Sequence, residues 1–247
     1  MNRLDQALVE HGLCESREKA KRAILAGQVK INERVARKAS ETVQAADVLS
    51  LAAGERYVSR GGLKLEHGLR HFGLNVIGLT AIDLGASTGG FTDCLLQHGA
   101  SRVYAVDVGR GQLAWKLRRD ARVVVMEQTN ARHLTPGHFG AGFEPVPLIV
   151  ADCSFISLRK ILPAAIALLR TGGKILALIK PQFEAGKAEA DRGAGVISDP
   201  AIHERVLREL REFATETMNL AWRGVTESPL RGPAGNKEFL VLLEKTG

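Results

Sequence analysis

The 247 residues carry 34 Lys and Arg against 27 Asp and Glu, a formal charge of +7, with 45% hydrophobic and only 5% aromatic content. That hydrophobic share is ordinary for a folded globular chain and excludes dominant disorder, while the longest apolar runs, 163–169 and 175–179, are too short to cross a bilayer. Three widely spaced cysteines, Cys14, Cys94 and Cys153, spell neither a disulfide framework nor a zinc site, and the mild basicity favours a polyanionic partner. The first six residues include an acid where a secretory signal needs an apolar stretch, so the cytoplasm is the expected compartment.

Residues 1–53 read as a small α+β domain. Leu4, Leu8 and Val9 recur at helical spacing. Ser16 is a good N-cap for a second helix, with Glu18 in its first turn where the helix dipole favours an acid. Gly27 suits the left-handed position just past that helix, which ends near Ala26. Ala20, Ala23 and Ile24 form its buried stripe, and Glu18 is placed to pair with Arg22. Val29–Ile31 and Val48–Leu51 are strand-like, with a turn at Asn32-Glu33. Basic residues cluster here, yet Glu33 and Glu41 are interspersed. Charge alone therefore leaves open an RNA-facing surface or a solvated charged face. The runs Arg3-Leu4-Asp5, Ser16-Arg17-Glu18-Lys19-Ala20 and 24–32 (Ile-Leu-Ala-Gly-Gln-Val-Lys-Ile-Asn) resemble the RNA-binding domain first described in small-subunit ribosomal protein S-four. The candidate RNA-binding residues on that resemblance are Arg3, Arg17, Lys19, Lys21, Arg22 and Lys30, with Arg60 beyond the domain.

Residues 54–60 read as a linker, and 61–247 as the larger domain. From about residue 80 strand-like and helix-like segments alternate, the pattern of an α/β fold with a mostly parallel sheet. The strands are 81–84, 103–106, 123–126, 148–151, 175–179 and 239–243. The turn Asp83-Leu-Gly-Ala-Ser-Thr-Gly-Gly90 follows the first strand and leads into a helix over 91–98. Glycines there let the backbone turn sharply and let a ligand approach closely. The turn lacks the Gly-Lys-Ser/Thr of a Walker A loop and is a poor G-x-G-x-x-G.

Two further strand ends sharpen this. Asp107 stands 24 residues after Asp83, where an acid can accept both hydroxyls of an adenosine ribose. Asn130, in Thr129-Asn-Ala-Arg, can face an adenine edge. Asp83 suits the ammonium of a methionine moiety and would repel a pyrophosphate. The three strand ends therefore fit S-adenosylmethionine better than NAD. The candidate cofactor residues are Asp83, Gly85, Ala86, Ser87, Thr88, Gly89, Gly90, Phe91, Asp107, Val108, Thr129, Asn130 and Asp152.

Tyr57-Val-Ser-Arg-Gly-Gly-Leu-Lys64, 83–92, Asp107-Val-Gly-Arg-Gly-Gln-Leu, 129–132, Asp152-Cys-Ser-Phe-Ile-Ser-Leu, Lys180-Pro-Gln-Phe-Glu and Gly235-Asn-Lys-Glu238 occur in order. Together they resemble the TlyA (hemolysin A) family of ribosomal RNA 2′-O-methyltransferases across the whole chain. The resemblance implies a Rossmann-like class I methyltransferase domain, similar to that of the FtsJ ribose methyltransferases, behind the RNA-binding domain. It implies S-adenosylmethionine as cofactor, ribosomal RNA or ribosomal subunits as partner, and cytidine ribose as acceptor. The chain is more similar to the shorter family form, which acts on the large subunit.

A catalytic Lys–Asp–Lys–Glu set falls by motif on Lys64, Asp152, Lys180 and Glu238. Lys180, directly after the apolar strand 175–179, is the candidate base for a ribose hydroxyl. Burial, the cation Lys64 and a sulfonium would favour its neutral amine, whereas Asp152 would favour the ammonium. Cys153 departs from the aliphatic residue usual in the family, and segment 137–147 is longer than a tight loop needs. His67 and His71, four apart, lack the further ligands of a metal site, and none is expected. The competing readings are a non-catalytic ribosome-binding or assembly factor and a membrane-lytic hemolysin.

Overall fold

A computed structural model describes residues 2–51 and 56–246. The chain divides into two compact units, Met1–Arg56 and Tyr57–Gly247. In the first, β1 (Asn2–Arg3) runs into α1 (Leu4–Glu10), followed by α2 (Arg17–Leu25), β2 (Val29–Ile31), β3 (Arg34–Val35), β4 (Thr42–Val43) and β5 (Leu49–Leu51). The Ser16 hydroxyl caps α2 by accepting from Lys19 N at 3.3 Å, and Gly27 adopts φ 69° just beyond it. β2 is the centre of an antiparallel sheet ordered β3-β2-β5, and β1 pairs with β4. Leu4, Leu8, Ala20, Ile24, Val29 and Ile31 close a small core between helices and sheet. Glu18 reaches Lys21, one helical turn away at 2.8 Å, instead of Arg22.

The larger unit begins before the expected boundary. Residues 54 and 55 lie outside the described residues, but Tyr57 is buried in the core of this unit. A Cβ on Gly62 would lie 2.2 Å from the Tyr57 side chain, so the glycine makes the space that the ring fills. Residues 57–60 are thus part of the larger unit and not a linker, because burying this ring ties them to its core.

The elements that follow are α3 (Gly61–His71), β6 (Thr80–Leu84), α4 (Gly90–Gln97), β7 (Arg102–Val106), α5 (Trp115–Arg118), β8 (Val123–Met126) and β9 (Val146–Ala151). Then come α6 (Leu162–Leu168), β10 (Leu169–Ile179), α7 (Pro181–Glu184), α8 (Lys187–Arg192), α9 (Pro200–Glu212), β11 (Leu220–Glu227) and β12 (Phe239–Lys245). They build one seven-stranded sheet, β11-β12-β10-β9-β6-β7-β8. Strands β10, β9, β6, β7 and β8 run parallel, and β12 lies antiparallel between β10 and β11. This is the Rossmann-like, mostly parallel α/β sheet read from the sequence. The long segment before β9 is used for packing: Phe139 and Phe143 stack on each other and meet the Tyr104 ring edge-on.

Side chains alternate between the two faces of each strand. Ile82, Leu84, Val106, Ile149, Ile175 and Val241 enter one apolar layer. Ala81, Val103, Val150, Leu176, Leu240 and Leu242 enter the other, beneath α3 and α4. The same parity sends Asp83 to the second layer, with Ala81.

Candidate active site

The sheet reverses its order at β6: β7 and β8 lie on one side, β9 and β10 on the other. Ligands of open α/β sheets sit beyond the carboxyl ends of the strands at such a point. There Gly85 turns with φ 83°, and a Cβ on it would lie 2.8 Å from the Asp152 carbonyl oxygen. The turn after β6 and the segment after β9 can meet closely only with glycine at that position. Gly89, at φ 97°, is the N-cap of α4, and a Cβ there would strike Leu117 at 2.2 Å. Its role is to let α5 pack beneath the turn.

Two cavities open at this edge. The first, about 540 Å³, is lined by Gly85, Ser87, Asp107, Val108, Thr129, Asn130 and Asp152, with Ile156 and Ile161 supplying apolar surface. Asp107 accepts from Ser87 N at 2.8 Å through one carboxylate oxygen and from Gly109 N at 2.7 Å through the other. Those bonds fix the carboxylate while leaving further lone pairs for ligand hydroxyls. The Asn130 side-chain oxygen caps a short helical turn by accepting from Arg132 N at 3.0 Å, which leaves the amide NH₂ as the available group. A carboxylate for ribose hydroxyls, an amide for a purine edge and aliphatic walls for its faces suit the nucleoside of S-adenosylmethionine.

The second cavity, about 250 Å³, is lined by Arg60, Lys64, Ala86, Thr88, Gly90, Phe91, Asp152, Ser154, Lys180 and Glu238, among others. α3 brings Lys64, whose Nζ donates to Glu238 at 2.5 Å. Both groups are buried. Gly68 lets α3 sit this deep, since a Cβ there would already press on Leu176 at 3.0 Å. Glu238 immediately precedes β12 and is held by neighbours: its carbonyl accepts from Ser228 N at 2.9 Å. Asn236, itself buried, accepts from Ile197 N and donates to Gly195 O, each at 2.8 Å, tying this loop to the one before α9.

Lys180 directly follows β10 and precedes the proline that starts α7. Its Nζ lies 2.5 Å from Asp152 and donates to the Ser154 hydroxyl at 2.9 Å. Asp152 therefore forms a wall of both cavities, with a buried amine against it. Ser154 is a member of this site that the sequence reading passed over, although it lies two residues after Asp152 in a motif already singled out.

Every residue expected at the cofactor or the catalytic set lines one of these cavities, apart from Asp83 and Gly89. Asp83 is fully buried and accepts from the Thr92 hydroxyl at 2.7 Å. Burial, opposed by the Thr92 hydroxyl and reinforced by Asp152 and Asp107, pushes its carboxyl up to about 7. Its Oδ1 has no hydrogen-bond partner among the described residues. β-strand parity points the carboxylate under α4, where it braces the turn.

Of the residues expected to meet RNA, Arg3 and Arg17 both grip the buried Asp5, at 3.0 and 2.8 Å. The Arg3 hydrogen bond, with help from Arg17 and against burial, holds the Asp5 carboxyl at about 2. Lys19 pairs with Glu15, Lys21 with Glu18, and Lys30 with Glu33. Arg22 is exposed, and so is Arg60 at the second cavity; neither has an ion pair among the described residues.

The other candidates stay outside the chemistry. Burial pushes the Cys153 thiol up to about 12, and the thiol donates to the Leu84 carbonyl. His67 and His71 stack at 6.0 Å. Among the described residues no group of three or more His, Cys, Asp or Glu is placed to hold a metal ion, and no helix is long and apolar enough to cross a membrane.

Comparison with known proteins agrees with this geometry. The FtsJ-like methyltransferase family matches residues 57–245, and the S4 domain matches residues 2–49. YqxC of Bacillus subtilis (strain 168), a proposed rRNA methyltransferase, is 50% identical over 99% of this chain and 86% of its own. The 16S/23S rRNA (cytidine-2′-O)-methyltransferase TlyA of Mycobacterium tuberculosis is 46% identical over 98% of this chain and 89% of its own. The solved structure of a proposed hemolysin from Streptococcus thermophilus superposes with a TM-score of 0.75 at 47% identity, covering 99% of this chain and 88% of that one. More distant methyltransferases, one of them S-adenosylmethionine-dependent, share the fold. The chain belongs to the TlyA (hemolysin A) family, an S4 domain joined to an FtsJ-like methyltransferase domain whose methyl donor is S-adenosylmethionine.

Proposed function

We propose that the protein methylates the 2′-hydroxyl of a cytidine ribose in ribosomal RNA, with the large subunit as its substrate and the cytoplasm as its place of action. The observation that carries this reading is Asp152, which walls both cavities while Lys180 Nζ lies 2.5 Å from it. A donor in the first cavity and an alcohol in the second would meet across that carboxylate.

S-adenosylmethionine, when bound, supplies an electrophilic methyl group on a positively charged sulfur. Asp107, Thr129 and Asn130 would hold its nucleoside, and the glycine-rich turn from Gly85 to Gly90 would let the backbone approach it. In its neutral form Lys180 Nζ is placed to take the 2′-hydroxyl proton as the oxygen attacks, becoming the ammonium that Asp152 then holds until the proton passes to solvent, a role worth about 10²–10⁴-fold in rate. Asp152 and Ser154 fix where that amine points. Lys64, locked by Glu238, adds a cation that steadies the developing alkoxide. Holding oxygen, carbon and sulfur in line supplies a further large share of the acceleration. In the smaller unit, Lys19–Glu15, Lys21–Glu18 and Lys30–Glu33 are solvent-screened surface pairs, so phosphates can displace the acids.

Incubating purified protein and labelled cofactor with each unmodified ribosomal subunit tests the reading. Digestion to nucleosides is expected to yield 2′-O-methylcytidine from the large subunit. The M. tuberculosis relative's name covers both 16S and 23S RNA, so the small subunit is the second arm of the assay. Label in a base, or in neither subunit, would overturn the proposal, the latter in favour of a non-catalytic ribosome-binding factor.

A further inference from the structure

α5 is anchored to the glycine-rich turn and yet carries a tryptophan into solvent. Ala114 N donates to Thr88 O at 3.1 Å, and Leu113 and Leu117 pack beneath Gly89. Trp115, between those two leucines, is 71% exposed, and the Arg119 guanidinium lies over its ring, 6.0 Å from the centroid. A single exposed apolar side chain needs no explanation. This one stands on a fixed helix among cations.

Lys116, the next residue, reaches Asp93 at 2.9 Å, and the same carboxylate oxygen accepts from Val58 N at 2.8 Å. Buried Asp93 thereby ties α5 to segment 57–60, whose last residue, Arg60, lines the acceptor cavity. The acids near this face are spent: Glu127 on Arg118 and on backbone amides, Asp120 on Arg122. Arg60, Arg110 and Arg119 are exposed and have no ion pair among the described residues. An exposed aromatic ring with a guanidinium over it, on a helix tied through Asp93 to the segment that carries Arg60, is complementary to a polyanion with π faces.

We infer that Trp115 is a stacking platform for a nucleobase of the RNA flanking the target ribose, with Arg119 and Arg60 on its phosphates. The inference rests on the RNA-methylation reading above and adds a specificity surface to it. The platform lies on the methyltransferase unit. A nucleobase stacked there would fix the strand's register relative to Lys180.

The test is steady-state methylation of large subunits by Trp115→Ala and Trp115→Phe, together with fluorescence titration of a Trp222→Phe protein, in which Trp115 is the remaining tryptophan. Trp115→Ala is expected to raise KM for the subunit about tenfold, the scale of one lost base–aromatic stack. Its kcat should stay within about twofold and its cofactor affinity should be unchanged, because Trp115 lines neither cavity. Trp115→Phe should recover most of the KM, and a short cytidine-rich oligoribonucleotide should quench Trp115. An unchanged KM in an active Trp115→Ala protein would overturn the platform. So would a raised KM without quenching by oligonucleotide, which would point to a ribosomal-protein contact. If wild-type protein methylates no RNA, the functional reading fails, and the quenching titration still decides the platform by itself.

Discussion

Two lysine–carboxylate pairs line the acceptor cavity at the same 2.5 Å separation, and their surroundings make them different devices. Lys64 and Glu238 come from segments 174 residues apart in sequence, and Glu238 is 1% exposed. That pair joins α3 to the loop before β12, and among the described residues each charge has the other as its ion-pair partner. Lys180 faces Asp152, whose side chain is 22% exposed and open to both cavities, and it also contacts Ser154. A closed pair can hold a wall in place. An open pair next to a hydroxyl can exchange a proton with what enters. The same two residue types therefore serve in one place as a strut that presents a fixed cation and in the other as the proton acceptor.

Removing one member of the closed pair should have the largest consequence. Glu238→Ala leaves the Lys64 ammonium buried and unpaired, an arrangement that costs about 3–5 kcal/mol. Denaturant unfolding should show that loss, and methylation should fall with it. In Lys64→Met/Glu238→Leu the stability should return while activity stays lost, which separates the strut from the charge the reaction needs. If the double variant regains activity, the pair is only a strut. Lys180→Ala should behave in the opposite way. Methyl transfer should drop about 10³-fold, as for loss of a general base, while stability and cofactor affinity measured by calorimetry stay near wild type. A similar loss of stability would make the two pairs alike and break the contrast.

Much of this was legible beforehand, for identifiable reasons. The buried parallel strands read as apolar runs with strand ends that are the usual ligand position, so Asp107, Asn130 and Lys180 stood out by position, whereas Asp152 was legible only through the family motif. Strands β1, β3 and β4 were not legible, since two residues carry no period. β11 escaped because Arg223 points to solvent and a bulge lies between Trp222 and Gly224. The ion pairs of Arg3 and Arg17 depend on Asp5 being turned inward beside Leu4, which is a tertiary fact. The depth of Asp83 follows from its strand parity with Ala81, which the sequence carries, whereas the glycine-rich motif in which it stands gives no signal of burial.

Asp107 and Asp83 extend the contrast between open and closed carboxylates to the donor side. Asp107 opens on the cofactor cavity, so Asp107→Ala should raise KM for S-adenosylmethionine by about ten- to a hundredfold, the scale of one hydrogen bond to a charged acceptor, with a smaller change in KM for RNA. Asp83 is closed, and its effect should appear in stability. Its carboxyl titrates at about 7 in the folded chain against an ordinary value of 3.8. Between those values the folded state holds a proton that the unfolded state has released. Stability from this group therefore falls as pH rises through that window, by at most about 1.4 kcal/mol per unit, and is level above it. Histidines such as His67, held down by burial, contribute the opposite slope, so the comparison must be between wild type and Asp83→Asn. The variant should lose the downward component between pH 5 and 7 in urea unfolding and keep the rest. An unchanged difference across that range would mean that Asp83 stays ionised, and that a cation reaches the unpartnered oxygen after all.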